Sequence, residues 1–145
     1  MINAIKIQTE LMKLIKKSDL SMVRWQEADD KMYLTLDGVS IHIIPKCEFY
    51  INLEYLDGLN MELRKLIRLD GYRIANSSNN YKLDNNRLLR ILERDDVICY
   101  VDDRIIKSYG KDIYFKIKNR LEQVYVYDTH TDEMIGVVCP VRCND

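Results

Sequence analysis

The sequence predicts an α+β fold in which about three helices pack on an antiparallel β-sheet made of a hairpin and a C-terminal meander. Apolar residues alternate with polar ones on both sides of Asp37-Gly38, they recur at helical spacing in other segments, and short strand-like runs fill the chain after residue 96. A chain of 145 residues is near the usual size of one domain. We therefore predict a single globular domain over residues 1–145.

The first predicted elements are a helix and a strand. Residues 4–17 should form an amphipathic helix, because four apolar side chains recur at helical spacing, namely Ile7, Leu11, Leu14 and Ile15. Ser18-Asp19 ends this helix. Residues 22–27 are predicted as the first strand, which would place Trp25 beside the hairpin that follows.

The hairpin is predicted over residues 32–44. Asp37-Gly38 suits a two-residue type I′ turn, since both central positions of that turn need a positive φ. Closing the chain there pairs Leu34 with Ile41 and Met32 with Ile43, and it places the apolar side chains on one face. The opposite, outer row is then predicted to be a surface, formed by Tyr33, Thr35, Ser40 and His42.

The middle of the chain is predicted to be mostly helical. Residues 48–56 fit a strand or a helix equally well. Apolar spacing predicts a second helix over residues 59–69, with Asp57 as its N-cap, and a short third helix over residues 86–94. The Ser- and Asn-rich residues 76–80 between them are predicted to be a mobile loop.

The remaining residues are predicted to be strands separated by polar breaks, over residues 97–101, 104–108, 113–118, 123–128 and 134–138. Taking Thr129–Asp132 as a four-residue loop pairs Val126 with Ile135 and sets Tyr125 opposite Gly136. The tyrosine ring would then have room to lie over the glycine backbone.

Composition excludes several classes of protein. The net charge of −1 gives no global attraction to nucleic acid or anionic lipid. No apolar run approaches the ~20 residues needed to cross a bilayer, and charged residues interrupt the first apolar segment, so a signal peptide is not expected. We predict a cytoplasmic protein without membrane contact. The abundance of Ile, Lys, Asn and Tyr is typical of low-GC bacteria, their phages and mobile elements.

The cysteines fit a reducing compartment. No CxxC pair occurs among the four cysteines, which we predict to be buried, reduced thiols. The alternative is a metal site built from Cys139, Cys143 and His130. The prediction from the sequence is that the protein uses neither a metal nor a cofactor.

No catalytic signature is apparent. The five glycines are isolated, so no phosphate-binding loop is predicted, and no GxSxG elbow presents a nucleophile. Acidic pairs such as Asp102-Asp103 stand where turns are expected, and aspartate commonly forms turns. We predict a protein that is not an enzyme. An enzyme with an unrecognised site near His42, His130 or the Asp pairs is the alternative.

Residues 64–94 have an excess of basic residues. Eight Lys or Arg face three Asp or Glu, a net charge of +5 for this region. On the predicted helices, Arg64 shares a face with Arg68, and a second face holds Arg87, Arg90 and Arg94. The candidate nucleic-acid-binding residues are these five and Lys65. With the hairpin expected after them, this outline resembles a winged helix-turn-helix, which makes a nucleic-acid-binding regulator the second hypothesis.

The first hypothesis is protein binding, and the ten tyrosines of the chain support it. Tyrosine combines apolar area with a polar tip and is enriched at protein interfaces. The predicted protein-binding residues are Tyr33, His42, Tyr125 and Tyr127. The favoured function is therefore a non-catalytic protein-interaction or regulatory module with an unidentified protein partner, and homo-oligomerisation is left open.

Overall fold

The structure is a computed structural model that describes residues 4–143, with the backbone alone for residues 78 and 79. Over this range, antiparallel strands dominate: there are nine strands and two α-helices, one of which has only five residues. The predicted class, with about three helices packed on a sheet, is therefore wrong. The chain divides into two compact units, an N-terminal unit (Ile2–Arg68) and a C-terminal unit (Leu69–Asp145).

The N-terminal unit begins with helix α1 (Ala4–Lys16), which confirms the first predicted helix and buries Ile7 and Leu11. Three antiparallel strands follow in the order β1 (Arg24–Ala28), β2 (Lys31–Thr35) and β3 (Ser40–Pro45). Trp25 pairs with Leu34 of β2, so it lies beside the hairpin, as predicted. Asp29 and Asp30 both have a positive φ, which makes the tight turn between β1 and β2.

The β2–β3 hairpin exists, but its register is one residue away from the predicted one. Met32 pairs with Ile44, and Leu34 pairs with His42. The cause is the side chain of Asp37, whose carboxylate accepts hydrogen bonds from the backbone N–H groups of Val39 and Ser40 and from the Ser40 hydroxyl. These bonds stabilise a turn that is one residue longer than the predicted two-residue turn, which is the change that the pairing of Leu34 with His42 requires. A slip of one residue exchanges the partners of every side chain on β3.

After β3 the chain forms neither of the structures predicted for residues 48–69. Three short 3-10 helices occur instead, at Lys46–Glu48, Leu53–Leu59 and Arg64–Leu66. A continuous helix over 59–69 is wrong because the backbone there bonds to β1. The N–H of Met61 donates to the carbonyl of Trp25, and the N–H of Leu63 donates to the side chain of Gln26.

The C-terminal unit is an antiparallel sheet with one short helix. In chain order its elements are β4 (Arg73–Asp84), β5 (Arg87–Arg94), β6 (Val97–Asp102), α2 (Asp103–Lys107), β7 (Ile113–Ile117), β8 (Val124–Asp128) and β9 (Met134–Val138). The strands lie in the order β9-β8-β7-β4-β5-β6. Fully or almost fully buried side chains form its core, including Leu89, Leu92, Val101, Ile106, Tyr109, Phe115 and Ile117.

The predicted third helix (86–94) is strand β5. Asn85 and Asn86 have φ values of 49° and 64°, so they form the two-residue turn that joins β4 to β5. The predicted loop over 76–80 belongs to β4, whose pairing with β5 shifts between Ser77 and Tyr81. The extra residues of this segment are absorbed as an irregularity within a strand.

Two further predictions need correction. The predicted strand over 104–108 is helix α2, because the Asp102 carboxylate accepts a hydrogen bond from the N–H of Arg104 and caps the helix. On β8, Val126 and not Tyr125 faces Gly136, since the pairing shifts after Val126. The space above Gly136 is filled by the buried ring of Tyr109.

Candidate protein-interaction surface

The predicted outer row of the hairpin is buried. Tyr33 and His42 are 7% and 6% exposed, so the prediction that they form a surface is wrong. Burial raises the pKa of Tyr33, with a smaller opposing effect from Arg64. Burial also lowers the pKa of His42 to about 4, against a weaker upward effect from Asp37. A role for either residue in protein binding stays a prediction.

Tyr125 and Tyr127 are also buried, within the C-terminal unit. Other aromatic rings cover them: the ring centroid of Tyr72 lies 4.4 Å from that of Tyr125, and Tyr114 stacks on Tyr127 at 5.1 Å. The ammonium of Lys116 lies 4.4 Å from the centre of the Tyr127 ring. These contacts give both tyrosines a packing role. Their role in protein binding stays a prediction.

The three predicted nucleic-acid-binding residues of the C-terminal unit do not share a helical face, because Arg87, Arg90 and Arg94 lie on strand β5. Arg90 forms an ion pair of 2.7 Å with Asp103, whose side chain is buried. Arg87 and Arg94 each lie within 4 Å of a neighbouring carboxylate, on Asp84 and Asp95 respectively. Their positive charges are therefore locally compensated.

The other three predicted nucleic-acid-binding residues, Arg64, Lys65 and Arg68, lie at the end of the N-terminal unit. Arg64 is 2.7 Å from a carboxylate oxygen of Asp29, and Lys65 is 2.5 Å from one of Glu62. Arg68 is exposed. The helical arrangement that suggested nucleic-acid binding is absent from the described residues, and the role itself stays a prediction.

The alternative metal site is not assembled in residues 4–143. No group of three or more His, Cys, Asp or Glu side chains in this range is placed to hold a metal ion. Cys139 and Cys47 are exposed, while Cys99 and Cys143 are buried, so the prediction of four buried thiols holds for two of them. Burial raises the pKa of the Cys99 thiol to about 11, and its sulfur donates to the carbonyl of Asn119.

Two strongly exposed tyrosines lie on a different part of the N-terminal unit, which we call the anchored segment (residues 46–67). Its first anchor is the buried side chain of Gln8 on α1. The amide nitrogen of Gln8 donates to the carbonyl of Glu48 at 2.8 Å, and its amide oxygen accepts from the N–H of Tyr50 at 2.7 Å. One side chain thus holds two backbone groups of the segment.

Strand β1 supplies the other anchors. The indole N–H of Trp25 donates to the carbonyl of Leu56 at 2.6 Å. The side-chain oxygen of Gln26 accepts from the N–H groups of Leu63 and Arg64, each at 2.8 Å. Buried backbone groups need such partners, so these bonds fix a segment that has no regular ladder of its own.

The anchored segment buries Leu56 and Leu63 and exposes tyrosines. Tyr50 is 75% exposed and Tyr55 is 87% exposed. Sequence reasoning missed both residues because they lie in 48–56, where apolar side chains fit two periods at once. The apolar residues between Pro45 and Gly58 follow no single period, and this was the sequence signal that the segment is irregular.

Comparison with known proteins found no relative: no protein-family model, no curated protein and no solved structure matches the chain. Among the helices of residues 4–143, none has the length and apolar character needed to cross a membrane. The chemistry of the anchored segment is thus the basis for a functional proposal.

Proposed function

We propose that this protein is a non-catalytic protein-interaction or regulatory module that binds a partner protein through the anchored segment. The observation that carries the proposal is the exposure of Tyr50 and Tyr55 on a backbone held by Gln8, Trp25 and Gln26. Loops beyond about 12–15 residues without regular α or β structure are uncommon in compact domains and are often functional.

The physical basis is the low cost of ordering such a surface. A tyrosine side chain has few rotatable bonds, so it offers a large contact area with little loss of entropy on binding. Because the anchors already fix the backbone around Tyr50 and Leu56, binding would not have to order the segment. The segment therefore has two properties of a preorganised binding surface, exposed aromatic area and a fixed backbone.

The test is affinity capture from lysate of the native host, with and without nuclease treatment. Wild-type protein is compared with a Tyr50→Ser/Tyr55→Ser variant, and Tyr81→Ser serves as the matched control because Tyr81 is an exposed tyrosine of the C-terminal unit. We expect a partner that is retained by wild type and the control and lost by the double variant. Circular dichroism should show that all variants are folded, since exposed substitutions usually change stability by less than about 0.5 kcal/mol.

Equal capture of the same proteins by wild type and the double variant would refute the proposal. A partner that disappears when the lysate is treated with nuclease would instead favour the nucleic-acid-binding alternative.

A further inference from the structure

We infer that the partner presents a basic, arginine- or lysine-rich protein segment to the anchored segment, an inference that rests on the proposed function. Residues 47–61 contain three carboxylates, on Glu48, Glu54 and Asp57, and no lysine or arginine. The part of the chain with the most exposed tyrosines therefore has a formal charge of −3, although the whole chain has a net charge of only −1.

Two of these carboxylates lie close to Tyr55 in the sequence. Glu54 and Asp57 lie beside it in the 3-10 helix Leu53–Leu59, and both side chains are exposed. The turn is fixed at its start, because the side chain of Asn52 accepts a hydrogen bond from the N–H of Glu54 at 3.0 Å. Exposed carboxylates thus stand before and after Tyr55 in the sequence of an ordered turn.

Among residues 4–143, Glu48, Glu54 and Asp57 form no ion pair, whereas the cations at the two ends of the anchored segment are all paired. The paired cations and their partners are Lys46 with Glu27, Arg64 with Asp29, and Lys65 with Glu62. The charge left without an ion-pair partner is negative and belongs to the same segment as Tyr50 and Tyr55.

A basic protein segment is the complement of this surface. An arginine guanidinium stacks on a tyrosine face and also binds a carboxylate through two hydrogen bonds, so one residue type satisfies both features. Opposite charge also speeds the encounter of the two proteins. A nucleic acid would be repelled by the same carboxylates, since its backbone is anionic.

The direct test measures binding of a fluorescein-labelled peptide of alternating arginine and glycine, by fluorescence anisotropy at low salt. A peptide of alternating glutamate and glycine is the negative probe. Wild type is compared with Glu54→Gln/Asp57→Asn, and the matched control is Glu10→Gln/Asp19→Asn, which removes two exposed carboxylates outside residues 47–61.

We expect the arginine peptide to bind wild type and the control equally, and the Glu54→Gln/Asp57→Asn variant about tenfold or more weakly. Tyr55→Ala should also weaken binding, which simple charge attraction would not require. The inference is overturned if the peptide does not bind wild type, or if both double variants bind it equally.

Failure of this inference is distinguishable from failure of the proposed function. A partner captured by wild type, lost by Tyr50→Ser/Tyr55→Ser and retained by Glu54→Gln/Asp57→Asn would leave the interaction module standing and refute the basic partner. Capture that ignores Tyr50 and Tyr55 would refute both.

Discussion

Acidification should destabilise this protein through a single buried side chain, that of His42. Its imidazole is 6% exposed on β3, opposite Leu34. Burial lowers its pKa from 6.5 to about 4, and the nearby charge of Asp37 opposes this only in part. The folded protein therefore holds His42 neutral at pH values where the unfolded chain would already protonate it.

The direction of the effect follows from proton linkage. Between the unfolded pKa of 6.5 and the folded pKa of about 4, the unfolded chain binds more protons, so stability decreases as the pH falls. The full interval corresponds to about 3 kcal/mol, and the change from pH 7 to about pH 4.5 corresponds to about 2 kcal/mol. That loss is a large fraction of the stability of an ordinary domain.

The assay is urea denaturation at pH 7 and at about pH 4.5, followed by fluorescence. The protein has one tryptophan, Trp25, and it lies in the same unit as His42, so the signal reports on the relevant part of the chain. His42→Leu removes the titrating group, and His130→Gln removes a histidine at the surface.

Wild type and His130→Gln should lose about 2 kcal/mol more between the two pH values than His42→Leu does. Carboxylates titrate in the same range, but they do so in all three proteins, so only the difference is informative. An equal loss in wild type and His42→Leu would refute the conclusion that His42 is buried in its neutral form.

Two further predictions concern the C-terminal unit. Gly136→Ala should destabilise the protein by about 1–3 kcal/mol in chemical denaturation, because a Cβ there would overlap the buried ring of Tyr109. The control is Gly58→Ala, which should have little effect because no atom lies within 4 Å of the added Cβ. Equal effects of the two substitutions would contradict this packing. Arg90→Met should cost about 3 kcal/mol by leaving the buried Asp103 without its main partner, and adding Asp103→Leu should recover most of the loss. A double variant no more stable than the single one would argue against an electrostatic cause.

Hydrophobic periodicity correctly predicted the elements whose apolar spacing fits only one type of secondary structure. Helix α1 and strands β6 to β9 lie within about two residues of their predicted bounds, because apolar spacing and polar breaks agree in those segments. The loop Thr129–Asp132 was also placed correctly, and its hydrogen bond from the N–H of Asp132 to the carbonyl of Asp128 closes it.

The prediction of a third helix over residues 86–94 was wrong because the local signals there fit more than one structure. Leu88, Leu89, Ile91 and Leu92 satisfy a helical period, but the adjacent Asn85-Asn86 also satisfies a type I′ turn, and the turn decided the outcome. Pairing with the neighbouring strands β4 and β6 adds hydrogen bonds between strands, which a helical period within one segment does not encode.

The hairpin register and the anchored segment both depend on side-chain hydrogen bonds that the sequence pattern does not encode. Asp37 accepts bonds that lengthen the β2–β3 loop, and that one-residue slip moved His42 to a position opposite Leu34. The anchored segment depends on Gln8, Trp25 and Gln26, which are far from it in sequence. A local sequence pattern does not encode such contacts, so the exposure of Tyr50 and Tyr55 could be found only from the structure.

The attachment of the anchored segment to β1 has a consequence for aggregation. β1 pairs with β2 along one side, and along the other Trp25 bridges to Asn60 and accepts the N–H of Met61. An open strand edge is a template for pairing with other chains. A partner that pulled the segment away would uncover this edge, so productive binding has to occur on top of the segment. Conditions that loosen its anchors should promote fibrous assembly before they unfold the rest of the chain.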